Sequence, residues 1–203
     1  MIVTLLTKNK LVAHYLKQEF SSTKNTFVYC QTFKTFMDSN NNIDCVVSPA
    51  NSYGLMDGTY DLALTSYFGG ELQEVVQKKI LKEFNGEQPL CSSLIVNIPN
   101  TKIKLIHTPT MRIPSVISDP MIIYHCTRSS LLLAKKNKIK NILLPAFGTG
   151  CGLVESDIAA HLMKEGYNQV FSPQKEINWK TSLSKTKELE EYLSYKLNNY
   201  TYK

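Results

Sequence analysis

Two stretches of this chain combine polar side chains, small residues and glycine in a way that suits ligand chemistry. The first, SPANSYGLMDGTYD at 48–61, carries Asn51, Asp57 and Asp61 with Gly54 and Gly58 between them. Asn51 can donate and accept at once, as recognition of a ribose hydroxyl pair requires. Asp61 stands where an apolar helical pattern resumes. A carboxylate there can cap free N–H groups and is favoured by the helix dipole. The same carboxylate could instead orient or deprotonate a water beside a bound sugar, and spacing alone does not choose between the two. The second stretch, PAFGTGCGL at 145–153, alternates Gly148, Gly150 and Gly152 with Thr149 and Cys151 just before another helical pattern. Backbone N–H groups uncovered by small residues at a helix start form an anion cradle suited to phosphate or diphosphate. Glycines also make plain strand-to-helix turns, so this stretch gains weight from its pairing with the first.

The elements that must position these loops follow from hydrophobic periodicity. Short apolar runs predict strands at 2–6, 26–30, 43–50, 93–99, 104–109 and 141–146. Helical spacing predicts helices over 8–20, the LALTSYFG stretch ending at Gly69-Gly70, 71–84, 120–137 and 154–166, the last closed by Gly166. Strands 93–99 and 104–109 are joined through Asn100-Thr101 as a hairpin. Short apolar strands alternating with helices indicate a three-layer α/β/α domain with a mixed, largely parallel central sheet. In such sheets ligands bind beyond the carboxyl ends of the strands, where both loops fall. After Pro173 the chain changes character: a polar linker holding Trp179 leads to a helix with a narrow stripe of Leu189, Tyr192, Leu193, Lys196 and Leu197. This helix is expected to pack back on the domain or on a partner.

Composition narrows the classes. Hydrophobic residues at 43% and charged residues at 20% fit a soluble domain with a real core. No apolar run spans a bilayer and no secretory leader is evident, so a cytoplasmic protein without membrane partners is expected. Five cysteines without CxxC spacing argue against a disulfide framework or zinc site. The net charge of +6 comes from dispersed lysines. Their densest cluster, KKNKIK at 135–140, has no aromatics and reads as a solvated face, so no specific nucleic-acid partner is expected.

The residues at 46–64, VVSPANSYGLMDGTYDLAL, resemble the first signature of macrodomains, a VNAAN-like strand end leading to a glycine loop, an aspartate and a helix. PAFGTGCGL followed by DIAAHLM resembles their second signature, the phosphate loop. HTPTMRIP and a long helix lie between them, as in that family, and the wording is closest to a divergent microbial, viral and fungal branch. The likeness covers about residues 1–170 and implies a macrodomain over 1–171 with residues 172–203 as an appendage. It implies ADP-ribose as ligand, either free or on a modified protein, with no cofactor and no metal. Ala50, Asn51, Gly54, Asp57 and Gly58 would lie along the ligand, Asn51 against the distal ribose. Pro145, Gly148, Thr149, Gly150, Cys151 and Gly152 would wrap the diphosphate, and Phe147 would line the distal-ribose pocket. Asn51 and Asp61 would be catalytic in hydrolysis of an ADP-ribosyl linkage. Two further readings stay open: a non-catalytic reader of ADP-ribose, and a phosphatase on ADP-ribose 1″-phosphate.

Two departures from the family pattern bear on the site. Thr59 occupies a place usually held by glycine, and a β-branched residue would be strained there if φ were positive. The adenine-binding aspartate is missing from YCQTF, where Gln31 would substitute. Elsewhere, His107 and His125 read as core or groove residues. Arg112 could reach a phosphate, although tying down its own loop is slightly favoured. Cys151 reads as a small loop filler that could carry a reactive thiol, and Tyr53 and Tyr60 read as packing residues able to gate a sugar.

Overall fold

Six of the apolar runs become strands: β1 Ile2–Thr7, β2 Thr26–Cys30, β3 Cys45–Ser48, β4 Leu94–Asn97, β5 Lys104–His107 and β6 Asn141–Pro145. The computed structural model describes residues 1–172 and 176–200. The strands form one sheet in the order β2-β1-β6-β3-β5-β4. All pairs are parallel except β4 with β5, the hairpin read from the sequence. Among the described residues there are seven helices: α1 Lys10–Glu19, α2 Phe33–Ser39, α3 Thr59–Phe68, α4 Glu71–Phe84, α5 Met121–Lys136, α6 Ser156–Phe171 and α7 Trp179–Tyr200.

Side chains alternate across the sheet and both faces are covered. Leu6, Val46, Leu105 and Leu143 share one core with Phe33 and Phe36 of α2, Leu64 of α3 and Leu72, Val76 and Ile80 of α4. The intervening Leu5, Val47, Ile106 and Leu144 are buried on the other face, where α1 runs against β1 and α5 against β5. A sheet buried on both sides explains why its strands read as unbroken apolar runs.

Three local readings differ from the structure. Helix α2 was not expected; Thr32 starts it by accepting the N–H of Thr35 at 3.2 Å. Gly166 does not end α6, which continues to Phe171. A Cβ at Gly166 would lie 2.7 Å from the carbonyl oxygen of Tyr124 in α5, so this glycine serves a close helix crossing rather than a stop. Thr59 is the first residue of α3 and is free of the strain feared for it. The left-handed residue of that loop is Gly54, at φ +63°, where a Cβ would meet Ile80 at 2.9 Å.

The chain divides into two compact units, Met1–Val170 and Phe171–Lys203. The second holds α7, in which Leu189 and Leu193 are buried while Trp179 and Leu197 are exposed. Residues 173–175 of the expected linker and 201–203 at the chain end lie outside the described residues.

Candidate ligand cleft

The first loop is built by strands that keep pairing past their own ends. The Thr108 N–H donates to the Ser48 carbonyl at 3.1 Å, Ala50 N–H to Thr108 at 3.2 Å, Thr110 N–H to Ala50 at 2.9 Å and Ser52 N–H to Met111 at 3.1 Å. This extended ladder fixes Pro49, Thr110 and Met111 at the mouth of the sheet. Within the loop, Asn51 turns its amide inward. Its Nδ2 donates to the Leu55 carbonyl at 2.7 Å, and its Oδ1 accepts the N–H of Tyr53 at 3.1 Å and of Leu55 at 3.3 Å. Gln73 of α4 accepts the Met56 N–H at 2.8 Å. Arg112 forks onto Glu87 at 2.5 and 2.9 Å, and Glu87 also accepts the Tyr53 hydroxyl at 3.1 Å. Arg112 therefore ties down loops, the alternative slightly favoured from sequence.

Asp61 is the third residue of α3, yet its carboxylate caps no N–H group. It accepts the Ser48 hydroxyl at 2.6 Å and is 8% exposed. Burial pushes its pKa up to about 7, the Ser48 hydrogen bond opposes that rise and the Asp57 charge adds to it. Beside Ser48 in the β3–β5 register stands His107, fully buried, its pKa driven down to about 3 by loss of solvent. The ring is neutral. Its Nδ1 meets Gln88 Oε1 at 2.7 Å, and its Nε2 has no partner among the described residues. His107 is thus a core residue, whereas His125 is exposed on α5.

The second loop closes on itself. Val154 N–H donates to Gly148 at 3.1 Å, Leu153 N–H to Gly150 at 3.1 Å and Ile117 N–H to Gly152 at 2.9 Å. Gly148, at φ +72°, is packed so that a Cβ would lie 2.8 Å from Ile123, and a Cβ at Gly152 would lie 2.7 Å from the Gly148 oxygen. Only glycine fits at these two places. Among the described residues, no acceptor receives the N–H groups of Thr149, Gly150, Cys151 or Gly152. These donors come from the loop itself, ahead of α6, and not from the helix terminus expected from the sequence.

A cavity of about 380 Å³ opens beyond the carboxyl ends of β1, β3 and β6. Of the residues anticipated from sequence, Gln31, Pro145, Gly148, Thr149, Gly150, Cys151 and Gly152 line it. Ala50, Asn51, Gly54, Asp57, Gly58, Asp61 and Phe147 do not. The reasons are physical. Phe147 is wholly buried, Ala50 is held in the ladder to Thr108 and Thr110, Asn51 bonds its own loop, and Asp61 turns to Ser48. Gly54 is packed under α4, while Asp57 and Gly58 are exposed away from the cavity.

Sequence reasoning missed much of the opposite wall. Lys8 and Asn9 follow β1, and Asn9 caps α1 through the N–H groups of Leu11 and Val12 at 2.9 and 3.3 Å. Thr32 and Phe33 open α2, while Thr59 and Tyr60 open α3. Phe33 and Tyr60 meet edge to face with centroids 5.7 Å apart. The Tyr60 hydroxyl is buried without a partner among the described residues, and burial raises its pKa far above the ordinary range. The available signal was TF after YCQ, where a helix start at a strand end brings an aromatic to the mouth. No group of three or more His, Cys, Asp or Glu is gathered to hold a metal among the described residues.

Known proteins resemble this chain in sequence or in fold. A protein of Aquifex aeolicus with no assigned function is 35% identical over 124 residues, covering 60% of this chain and 71% of that one. The macrodomain of Oceanobacillus iheyensis, solved with ADP, superimposes with a TM-score of 0.58 at 22% identity, covering 78% of this chain and 88% of that one. The macrodomain of Mycobacterium tuberculosis DarG gives 0.55 at 16% identity, covering 64% and 85%. The macro domain family model matches residues 47–163, more than half of the chain, including both loops; the chain belongs to the macrodomain family.

Proposed function

We propose that the cleft binds ADP-ribose, free or attached to another molecule. The observation that carries this reading is the row of unpaired N–H donors at 149–152 lining a cavity of about 380 Å³. Preformed donors of this kind suit a diphosphate, since they need no rearrangement to meet its charge. The adenosine side then lies toward Gln31 and Phe33, where an amide offers both donor and acceptor to a base edge. The distal ribose lies toward the start of α3, where Thr59 is exposed on the cleft wall and carries a hydroxyl. The protein of Oceanobacillus iheyensis solved with ADP supports the same choice of ligand class.

Two measurements test it. Wild type should bind ADP-ribose by calorimetric titration, and Gly150→Glu should lose at least roughly a hundredfold in affinity. A Cβ at Gly150 meets nothing within 4 Å, so the variant should keep the melting temperature of wild type while placing a carboxylate near the diphosphate. Equal affinity in the two proteins would remove the diphosphate from this loop.

Hydrolysis of an ADP-ribosyl linkage is the second reading, and Asp61 favours it. A carboxyl with a pKa near 7 can exchange a proton at working pH. Its bond to Ser48, away from the cleft lining, assigns it no contact with the substrate. In the hydrolytic reading Asp61 works only if ligand entry turns it from Ser48 toward the anomeric carbon. Incubation with an ADP-ribosylated carboxylate decides. Release of ADP-ribose by wild type and not by Asp61→Ala, with binding retained, makes the protein a hydrolase. Binding without release by either makes it a reader. Release of phosphate from ADP-ribose 1″-phosphate would indicate the phosphatase.

A further inference from the structure

A second, more open depression of about 570 Å³ lies at the other end of the sheet. It runs along the edge strand β4, between α4 and the start of β5, and its wall carries Lys78, Lys79, Lys82, Lys104, Asn97 and Asn137. One carboxylate, Glu83, lines it, and that group is paired with Lys79 at 3.2 Å. Lys78, Lys82 and Lys104 have no carboxylate partner among the described residues.

More positive charge gathers around this cavity. Asn137 belongs to the KKNKIK turn between α5 and β6, and the backbone connects that turn to Lys104. Lys140 and Asn141 donate their N–H groups to the Asp44 carboxylate at 3.1 and 2.8 Å, and Lys104 donates its N–H to the Asp44 carbonyl at 2.9 Å. Lys138 and Lys140 are exposed at the same end. Lysines that look scattered along the chain are therefore collected by the topology, because the α5–β6 turn, the approach to β5 and the last turns of α4 all meet where the parallel strands begin.

We propose that this basic end binds the phosphate backbone of a nucleic acid, without reading its sequence. The charge is spread too widely for one phosphate. Lys78 and Lys82 alone are separated by about 6 Å along the helix axis, with Lys104 contributed by a separate strand. No aromatic side chain lines the cavity, so bases have no stacking platform and the contact falls on phosphates. Asn97 and Asn137 add neutral donors for phosphate or sugar oxygens. The lysines line a concave cavity beside a strand edge, and Val75, Ile95 and Val96 form its apolar part without a protruding aromatic anchor, which disfavours a membrane surface. Lysines also protect open strand edges from pairing with other chains, a role the test separates.

The experiment measures binding of a fluorescent single-stranded RNA of about 20 nucleotides by anisotropy between about 50 and 200 mM salt. Wild type should bind at the low end and weaken steeply as salt rises. The variant Lys78→Gln/Lys82→Gln/Lys104→Gln should bind roughly tenfold or more weakly at low salt, with the log-log salt slope smaller by about 2. Its ADP-ribose titration and melting temperature should match wild type, which keeps this outcome separate from that of the cleft. Absence of RNA binding by wild type at low salt overturns the proposal, as does a variant with unchanged affinity and slope. A variant that self-associates in sedimentation while keeping its RNA affinity leaves the lysines as edge protection. Binding to phosphatidylserine vesicles, lost in the variant, without RNA binding would make the surface a membrane contact.

Discussion

The two loops at the mouth of the sheet both carry glycines after a strand, and they behave differently in the fold. The first, rich in polar side chains, turns them inward: Asn51 onto Tyr53 and Leu55, Asp61 onto Ser48, Tyr53 onto Glu87. The second has almost no polar side chains and leaves its backbone donors open to the cleft. The loop with the conspicuous chemistry thus bonds to itself and its neighbours, and the loop of small residues is the one that leaves donors facing the cleft. A polar side chain can be satisfied by nearby backbone or side-chain groups, and most buried ones are. A glycine loop offers no such partner, so its N–H groups stay available.

That contrast can be broken at four places, in falling order of effect on stability. Gly152→Val should cost about 3 kcal/mol or more, because its Cβ is forced onto a backbone oxygen and the Ile117 side chain. Chemical denaturation checks this, and loss of ADP-ribose binding should accompany it. A variant as stable as wild type would show that the second loop is not held as tightly as its contacts indicate.

Asp61 comes next. Its native pKa is raised from the ordinary 3.8 to about 7, so the native state binds this proton more tightly than the unfolded chain. Its stabilising contribution is complete below the unfolded value, falls as pH rises, and is lost above about 7. Asp61→Asn, which can still accept from Ser48, should flatten that decline and be more stable than wild type at pH 8 by a few kcal/mol. Parallel stability profiles for the two proteins between pH 4 and 8 would mean that Asp61 is solvated in the native state.

Asn51→Ala removes three hydrogen bonds internal to the first loop and should destabilise by about 1–3 kcal/mol. Affinity for ADP-ribose should fall together with stability. A fall in affinity with unchanged stability would return Asn51 to the ribose contact expected from sequence. Smallest is Glu87→Ala. Its bonds to Arg112 and Tyr53 are partly exposed and screened by solvent, so its removal should show only as a small downward shift in melting temperature.

Much of the fold was legible because both sheet faces are buried. Unbroken runs such as CVVS and NILLP can be little else once Asn and Gly bound them, and ELQEVVQKKILKEF declares α4 by its period alone. The second loop was legible for a related reason: only glycine tolerates the packing at Gly148 and Gly152. What escaped depends on contacts distant in sequence. Nothing near Asp61 announces that Ser48 will face it, since the two meet only when α3 folds over the end of β3. Phe33 and Tyr60 reach the cleft from separate elements. Gly166 carries a stop signal in isolation and becomes a contact point only when α5 lies against α6. The lysines of the basic end escaped in the same way, their clustering being a property of topology and not of spacing.

The ladder that continues past the ends of β3 and β5 has a kinetic consequence. The N–H groups of Ala50, Ser52, Thr108 and Thr110 are locked into the same bonding as the central strands, so they should exchange with solvent on the time scale of global unfolding, unlike an ordinary surface loop. One wall of the cleft therefore has no low-energy opening motion of its own. A ligand entering from solution meets a surface already in place, and differences in affinity among related ligands should be expressed in how fast they leave more than in how fast they arrive.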